Sequence, residues 1–80
     1  MKILVVGTGA IGIVVASELS KNPEVEEVRV ADINLGRAEQ LRDWLKSEKV
    51  SAHRVDAGKS EDVVRAAEGV DAIVNTTLPR

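Results

Sequence analysis

The hexapeptide Gly7-Thr8-Gly9-Ala10-Ile11-Gly12 lies where two apolar runs meet, and no other stretch of this 80-residue chain restricts the fold so far. Glycine beside a regular element costs backbone entropy, so three of them at one junction imply a demand for space or for an unusual turn. Upstream, Lys2–Gly7 (KILVVG) is a continuous β-branched run, the pattern of a strand covered on both faces. Downstream, Ala10–Lys21 (AIGIVVASELSK) sets Ile11, Val15 and Leu19 at i, i+4 and i+8 on one face of a helix, which Asn22 and Pro23 end. A G-x-G-x-x-G turn that leaves a strand and opens a helix is the dinucleotide fingerprint. Gly7 permits the tight turn, Gly9 lets the backbone approach a pyrophosphate at the helix N-terminus, and Gly12 lets the helix pack close to the strand.

The rest of the chain repeats the alternation. Glu27–Asp32 (EVRVAD), Val50–Asp56 (VSAHRVD) and Val70–Thr76 (VDAIVNT) read as strands. Asn34 is the expected N-cap of a second helix whose Ala38, Leu41 and Leu45 share a face. Ser60 is the expected cap of a third, Glu61–Glu68, with Glu61 and Asp62 in its first turn and Gly69 closing it. Strand–helix alternation with right-handed crossovers predicts an α/β fold: the first half of a Rossmann-type parallel sheet, βαβαβαβ, in strand order 3-2-1-4. That order creates a switch point between strands one and four, at the carboxyl end of strand one, where the glycines stand.

A second motif lies at a fixed distance from the first. Asp32 ends strand two, 20 residues after Gly12, the spacing of a carboxylate that accepts hydrogen bonds from the adenosine ribose. A carboxylate there repels a 2′-phosphate and so favours NAD over NADP; Arg37, on the following helix, is the residue that would accommodate that phosphate, or else a solvated helix residue. Asp56 and Ala57 follow strand three, where a loop borders an adenine ring, and Asn75, Thr76 and Thr77 end strand four beside the glycine turn. Trp44, the one aromatic residue, is expected to be partly buried packing. His53 has no carboxylate or hydroxyl partner suggested by the sequence, and the pairs Glu39–Arg42 and Asp43–Lys46 are expected on a solvated helix face.

Composition closes off other classes. A net charge of −2 gives no strong attraction to nucleic acid or to anionic membranes. The absence of cysteine removes disulfide frameworks and thiolate zinc sites, and the longest apolar run, Ile11–Ala16, is too short to span a bilayer. With no signal-peptide pattern at the N-terminus, the chain reads as cytoplasmic.

MKILVVGTGAIGIVVASEL, EVEEVRVADINLGRAEQL and VDAGKSEDVVRAAEGVDAIVNTTLP together resemble the N-terminal NAD(P)-binding domain of the saccharopine dehydrogenase-like family, the lysine 6-dehydrogenases being the members nearest in texture. The resemblance implies Gly7, Gly9, Ala10, Ile11 and Gly12 around the pyrophosphate, Asp32 and Ile33 at the adenosine ribose, and Asp56 and Ala57 near the adenine. It also implies Thr77, Leu78 and Pro79 in the cleft, with Thr76 and Thr77 departing from the smaller residues common there. Family members are oxidoreductases that transfer hydride at a C–N bond of amino acids or their imine adducts, with catalytic residues in a later domain. On this reading residues 1–80 are the dinucleotide-binding part of a larger dehydrogenase, the substrate domain lies beyond residue 80, and the chain by itself carries no catalytic residue. Truncation there leaves strand four as a sheet edge, through which the isolated chain is expected to self-associate, or else to bind weakly because its cleft is half built. Two other readings stay open: a regulatory nucleotide-sensing module of the kind that gates potassium channels, and a minimal engineered Rossmann scaffold.

Overall fold

The computed structural model describes residues 1–77. Four strands, β1 (Lys2–Val6), β2 (Glu27–Asp32), β3 (Val50–Arg54) and β4 (Ala72–Asn75), alternate with three helices, α1 (Ala10–Lys21), α2 (Leu35–Leu45) and α3 (Ser60–Ala66). All strands pair in parallel and the order is β3-β2-β1-β4, as the alternation predicts. The ladder runs a little past the strand ends: Gly7 N–H donates to the Ala31 carbonyl at 2.7 Å, and Thr76 N–H to the Val6 carbonyl at 2.9 Å. Both bonds fasten the turn after β1 to its two neighbours.

β1 is buried on both faces, and its alternating side chains divide the core in two. Ile3 and Val5 join Val28, Val30, Ala16 of α1 and Ala38 and Leu41 of α2 on one side. Leu4 and Val6 join Ala31 and Val55 on the other, under Val63, Ala66 and Ala67. The first layer is the larger, because two helices cover it. α3 has no fully buried residue. Its partly buried side chains are supplemented by Arg29, whose Nη1 donates to the carbonyls of Ala66 at 2.8 Å and Glu68 at 2.7 Å, satisfying acceptors that a helix end leaves without partners.

Several expectations are corrected. Ile11 is 64 % exposed, because α1 turns Gly12 and Ala16 to the sheet, while Val15 and Leu19 of the expected face do pack against the core. Trp44 is 65 % exposed: it stands one residue before Leu45, and 100° of helix rotation carries it outward. Lys59 occupies the N-cap of α3 and Ser60 is already helical, without a side-chain cap bond. His53 does have a hydroxyl partner, since Ser51 Oγ lies 2.8 Å from Nε2. Arg42 pairs with Glu39 at 3.9 Å as expected, but it also takes Asp43 at 3.0 Å, where Lys46 was the expected partner.

Other details stand as read. Asn34 caps α2 by accepting from Arg37 N–H at 3.3 Å, and Ala38 and Leu41 are buried on that helix. Gly69 closes the turn after α3 with a φ of +83°, which an L side chain would strain. β4 pairs with β1 alone, and Ile73, on the α3 side of the sheet, is 48 % exposed.

Candidate functional site: the cleft at the switch point

The carboxyl ends of all four strands open on a groove of about 880 Å³. Its walls are Val6 and Gly7 at the end of β1, Asp32 and Ile33 at the end of β2, Val55 to Gly58 after β3, and Asn75 and Thr77 at the end of β4. The strand order therefore gathers at one place residues that are up to 71 positions apart in the chain (Val6 to Thr77).

Each glycine of the turn answers a different constraint. Gly7 has a φ of +106°, and a Cβ on it would lie 2.5 Å from Thr76 Oγ1. A Cβ on Gly12 would collide with the Gly7 carbonyl, reaching 2.9 Å from its carbon, so the helix packs backbone to backbone against the turn. A Cβ on Gly9 would meet nothing within 4 Å. Gly9 leaves open space in front of α1, and no side chain caps that helix. The first bond of its ladder is Ile13 N–H to the Gly9 carbonyl, at 2.9 Å. The amides of Ala10, Ile11 and Gly12 therefore point outward at the positive end of the helix dipole. Free amides, a dipole and an empty approach are what a pyrophosphate needs, and this turn supplies all three.

Asp32 is the acid facing that turn. Its Oδ2 accepts from Thr8 Oγ1 at 2.6 Å and Thr8 N–H at 3.2 Å, and its Oδ1 accepts from Asn34 N–H at 2.9 Å. Partial burial pushes its carboxyl pKa upward, but these hydrogen bonds and the Arg37 guanidinium outweigh it, and the group is held below the ordinary carboxylate value. At neutral pH it is an anion in fixed orientation.

The remaining rim is built from local turns. Asp56 Oδ1 accepts from Gly58 N–H at 2.9 Å, and Asp56 N–H donates to Asp62 Oδ2 at 3.2 Å, which ties the β3 loop to the first turn of α3. Asn75 Oδ1 accepts from Thr77 N–H at 2.9 Å and from its hydroxyl at 2.5 Å. Thr76 turns inward, donating from Oγ1 to the Val6 carbonyl at 2.8 Å.

Of the residues expected in the site, Gly7, Asp32, Ile33, Asp56, Ala57, Asn75 and Thr77 line the groove together. Gly9, Ala10, Ile11 and Gly12 form the helix start beside it. Arg37 lines instead a separate hollow of about 290 Å³ between α1 and α2, with Ile13, Gln40 and Trp44. Leu78 and Pro79 lie outside the described residues. Val6, Val55 and Gly58 were not anticipated; the two valines stand where apolar strands end at a groove, a position that strand order alone indicates. Thr8 was also missed as the partner of Asp32. Among the described residues there is no cluster of metal-ligating side chains and no helix long and apolar enough to cross a membrane.

A parallel sheet in this order, with a positive-φ glycine turn at its switch point and an acid closing the second strand, defines the class: a Rossmann-type domain for a nicotinamide dinucleotide. The chain belongs to the family of the saccharopine dehydrogenase NADP binding domain, whose model matches residues 3–80. It is 28 % identical over 80 residues to a carboxyaminopropylagmatine dehydrogenase from Synechocystis, covering 98 % of this chain and 20 % of that protein. Among solved structures it is similar to a quinate dehydrogenase from Corynebacterium glutamicum in complex with NAD, at 34 % identity and a TM-score of 0.72, over 95 % of this chain and 26 % of that one. A malate dehydrogenase from Salinibacter ruber, 20 % identical with a TM-score of 0.54, shares the fold over 98 % of this chain and 37 % of its own length. The chain thus spans about a fifth of the curated relative and about a quarter of the quinate dehydrogenase.

Proposed function

We propose that this domain binds NAD, in preference to NADP, for a dehydrogenase that transfers hydride at a C–N bond of an amino acid or a derived imine. The observation that carries the reading is the Asp32 carboxylate, ionised and fixed at the groove wall opposite the uncapped start of α1. A ribose diol offers it donors, whereas a 2′-phosphate meets like charge. The amides of Ala10, Ile11 and Gly12 take the pyrophosphate, with Gly9 leaving the approach open. Asp32 and Ile33 take the adenosine ribose, Asp56 and Ala57 border the adenine, and Asn75 and Thr77 border the nicotinamide half. Thr76 serves the turn itself through its bond to Val6. When bound, the nicotinamide supplies the hydride chemistry, and the protein contributes position and electrostatics. The substrate domain and its acid–base residues belong to the larger protein of which this domain forms a part.

NADP is the second reading. The family's own description favours it, as does Arg37, close enough to Asp32 to act on its charge. Arg37 would have to leave the hollow between α1 and α2 to reach a phosphate in the groove.

Calorimetric titration of the intact protein with each dinucleotide decides between them. NAD is expected to bind the more tightly. Asp32→Ala is expected to weaken it by about tenfold or more, the worth of a hydrogen bond to a charged group. Gly9→Val is expected to abolish binding while leaving the fold intact, because a Cβ at this position meets nothing within 4 Å. Tighter NADP binding, or unchanged affinity in both variants, overturns the assignment.

A further inference from the structure

We propose that Thr8, the residue between the first two glycines, sets the dinucleotide selectivity of the groove by holding the Asp32 carboxylate as an anion of fixed orientation. The proposal rests on the NAD reading above and assigns its selectivity to a residue outside the groove wall.

Thr8 is the one buried polar side chain among the described residues, 5 % exposed. It donates twice to the same oxygen of Asp32, through its hydroxyl at 2.6 Å and its amide at 3.2 Å. Asn34 N–H takes the other oxygen at 2.9 Å. An ionised carboxylate has about four lone-pair positions. Three are filled by the protein, and the fourth, on Oδ1, remains for one ribose hydroxyl. Asp32 Oδ2 faces a buried hydroxyl and so points into the protein.

This arrangement matters because charge alone discriminates poorly at a surface. An aspartate free to rotate moves away from an incoming phosphate, or takes a proton, and the repulsion disappears. Asp32 has neither escape. Rotation breaks three hydrogen bonds at once, and those same bonds favour the ionised form over the protonated one. Without the hydroxyl, Oδ2 keeps only the longer bond from the Thr8 amide at 3.2 Å, beside the Asn34 bond to Oδ1, and the carboxylate loses its shortest tether. Thr8 is therefore a positioning residue. It acts on the cofactor through Asp32, from a site lining the hollow between α1 and α2 and not the groove.

The test measures the affinities of the intact protein for NAD and for NADP in the wild type, Thr8→Val and Thr8→Ser. Valine keeps the shape and the amide bond and deletes the hydroxyl bond; serine keeps both bonds. In Thr8→Val the NAD-to-NADP affinity ratio is expected to fall by about tenfold or more, chiefly through weaker NAD binding, with NADP unchanged or tighter. Thr8→Ser is expected to restore the ratio to within about twofold of wild type, since its hydroxyl makes the same charged hydrogen bond. A packing role alone would weaken both dinucleotides by one factor, so an unchanged ratio in Thr8→Val overturns the proposal while leaving the NAD reading intact. Loss of the ratio in Thr8→Ser as well overturns it in the same way. A wild type that binds NADP more tightly, or neither dinucleotide, overturns both. Should Thr8→Val not fold, Thr8→Ala removes the hydroxyl without setting a methyl against the carboxylate, and the same change in ratio is expected.

Discussion

Replacing Gly12 by alanine adds one methyl group, yet it is expected to cost more stability than most core truncations of similar size. A Cβ there overlaps the Gly7 carbonyl oxygen, lies 2.9 Å from its carbon and 3.0 Å from Thr76 Oγ1. The obstruction is backbone against backbone, so no change of rotamer relieves it. α1 must move away from β1, and Ala16, fully buried on the same stripe, loses its contact with the sheet. Overpacking of this kind costs about 1–3 kcal/mol. A rigid backbone neighbour puts this case at the upper end of that range, and alanine returns at most about 1 kcal/mol of helix propensity. The net loss is about 2 kcal/mol, against a total stability of roughly 4–12 kcal/mol for a domain of this size. In a thermal melt that corresponds to a fall of roughly 10 °C, since each kcal/mol moves a small domain by about 4–8 °C. Gly9→Ala is the internal control: it meets nothing within 4 Å, and its melting temperature is expected to stay within about 2 °C of wild type. A Gly12→Ala protein that melts with the wild type would refute the close-packing argument, and with it the reason given for glycine at that position.

Two further outcomes are expected. Stability, read as the urea midpoint, rises with pH in two steps of the same sign. His53, with its pKa lowered by burial and by Arg29, resists protonation in the folded state, so stability is lost as pH falls below about 6.5. Asp32, with its pKa depressed by its hydrogen bonds, contributes stability that is present above its unfolded value near 4 and is lost as pH falls through the folded one. His53→Gln should remove the upper step and Asp32→Asn the lower; a midpoint that is flat from pH 8 to pH 3 contradicts both. Arg29→Met should cost about 1.5–3 kcal/mol by releasing the two carbonyls at the end of α3, seen as a lowered urea midpoint, and an unchanged midpoint would show that α3 does not depend on the guanidinium.

What could be read from the residues depended on how local the governing interaction was. Element order, strand order and the division of helices between two faces follow from periodicity and crossover handedness, and all are present in the molecule. The glycine turn and the position of Asp32 at the end of β2 were legible because both are tied to fixed spacings. On α1 the close approach at Gly12 and the packing of Val15 and Leu19 were legible, and Ile11 alone was misplaced: periodicity ranks residues by apolarity, whereas a close helix–strand approach selects the smallest and turns Ile11 outward. Thr8 was invisible because its partner comes from another strand, 24 residues on, and only the fold brings the two together. Ser51 and His53 were readable and overlooked, since residues two apart on a strand share a face. Ser60 failed as a cap by a single position, the scale on which helix ends are least determined by sequence.

The unequal division of the core has a dynamic consequence. β1, β2, α1 and α2 share the larger apolar layer, and the amides of the two strands should exchange with solvent only when the whole domain opens. α3 has no fully buried residue and rests on the smaller apolar layer and the Arg29 guanidinium, so it is expected to belong to a unit that opens by itself at lower free energy. Through Asp56 and Asp62 that unit is joined to the β3 rim of the groove. One jaw of the groove therefore moves only with the entire molecule, while the other releases alone. A ligand long enough to touch both is also a brace: by binding only the closed form it transfers the stability of the stiff half to the loose one.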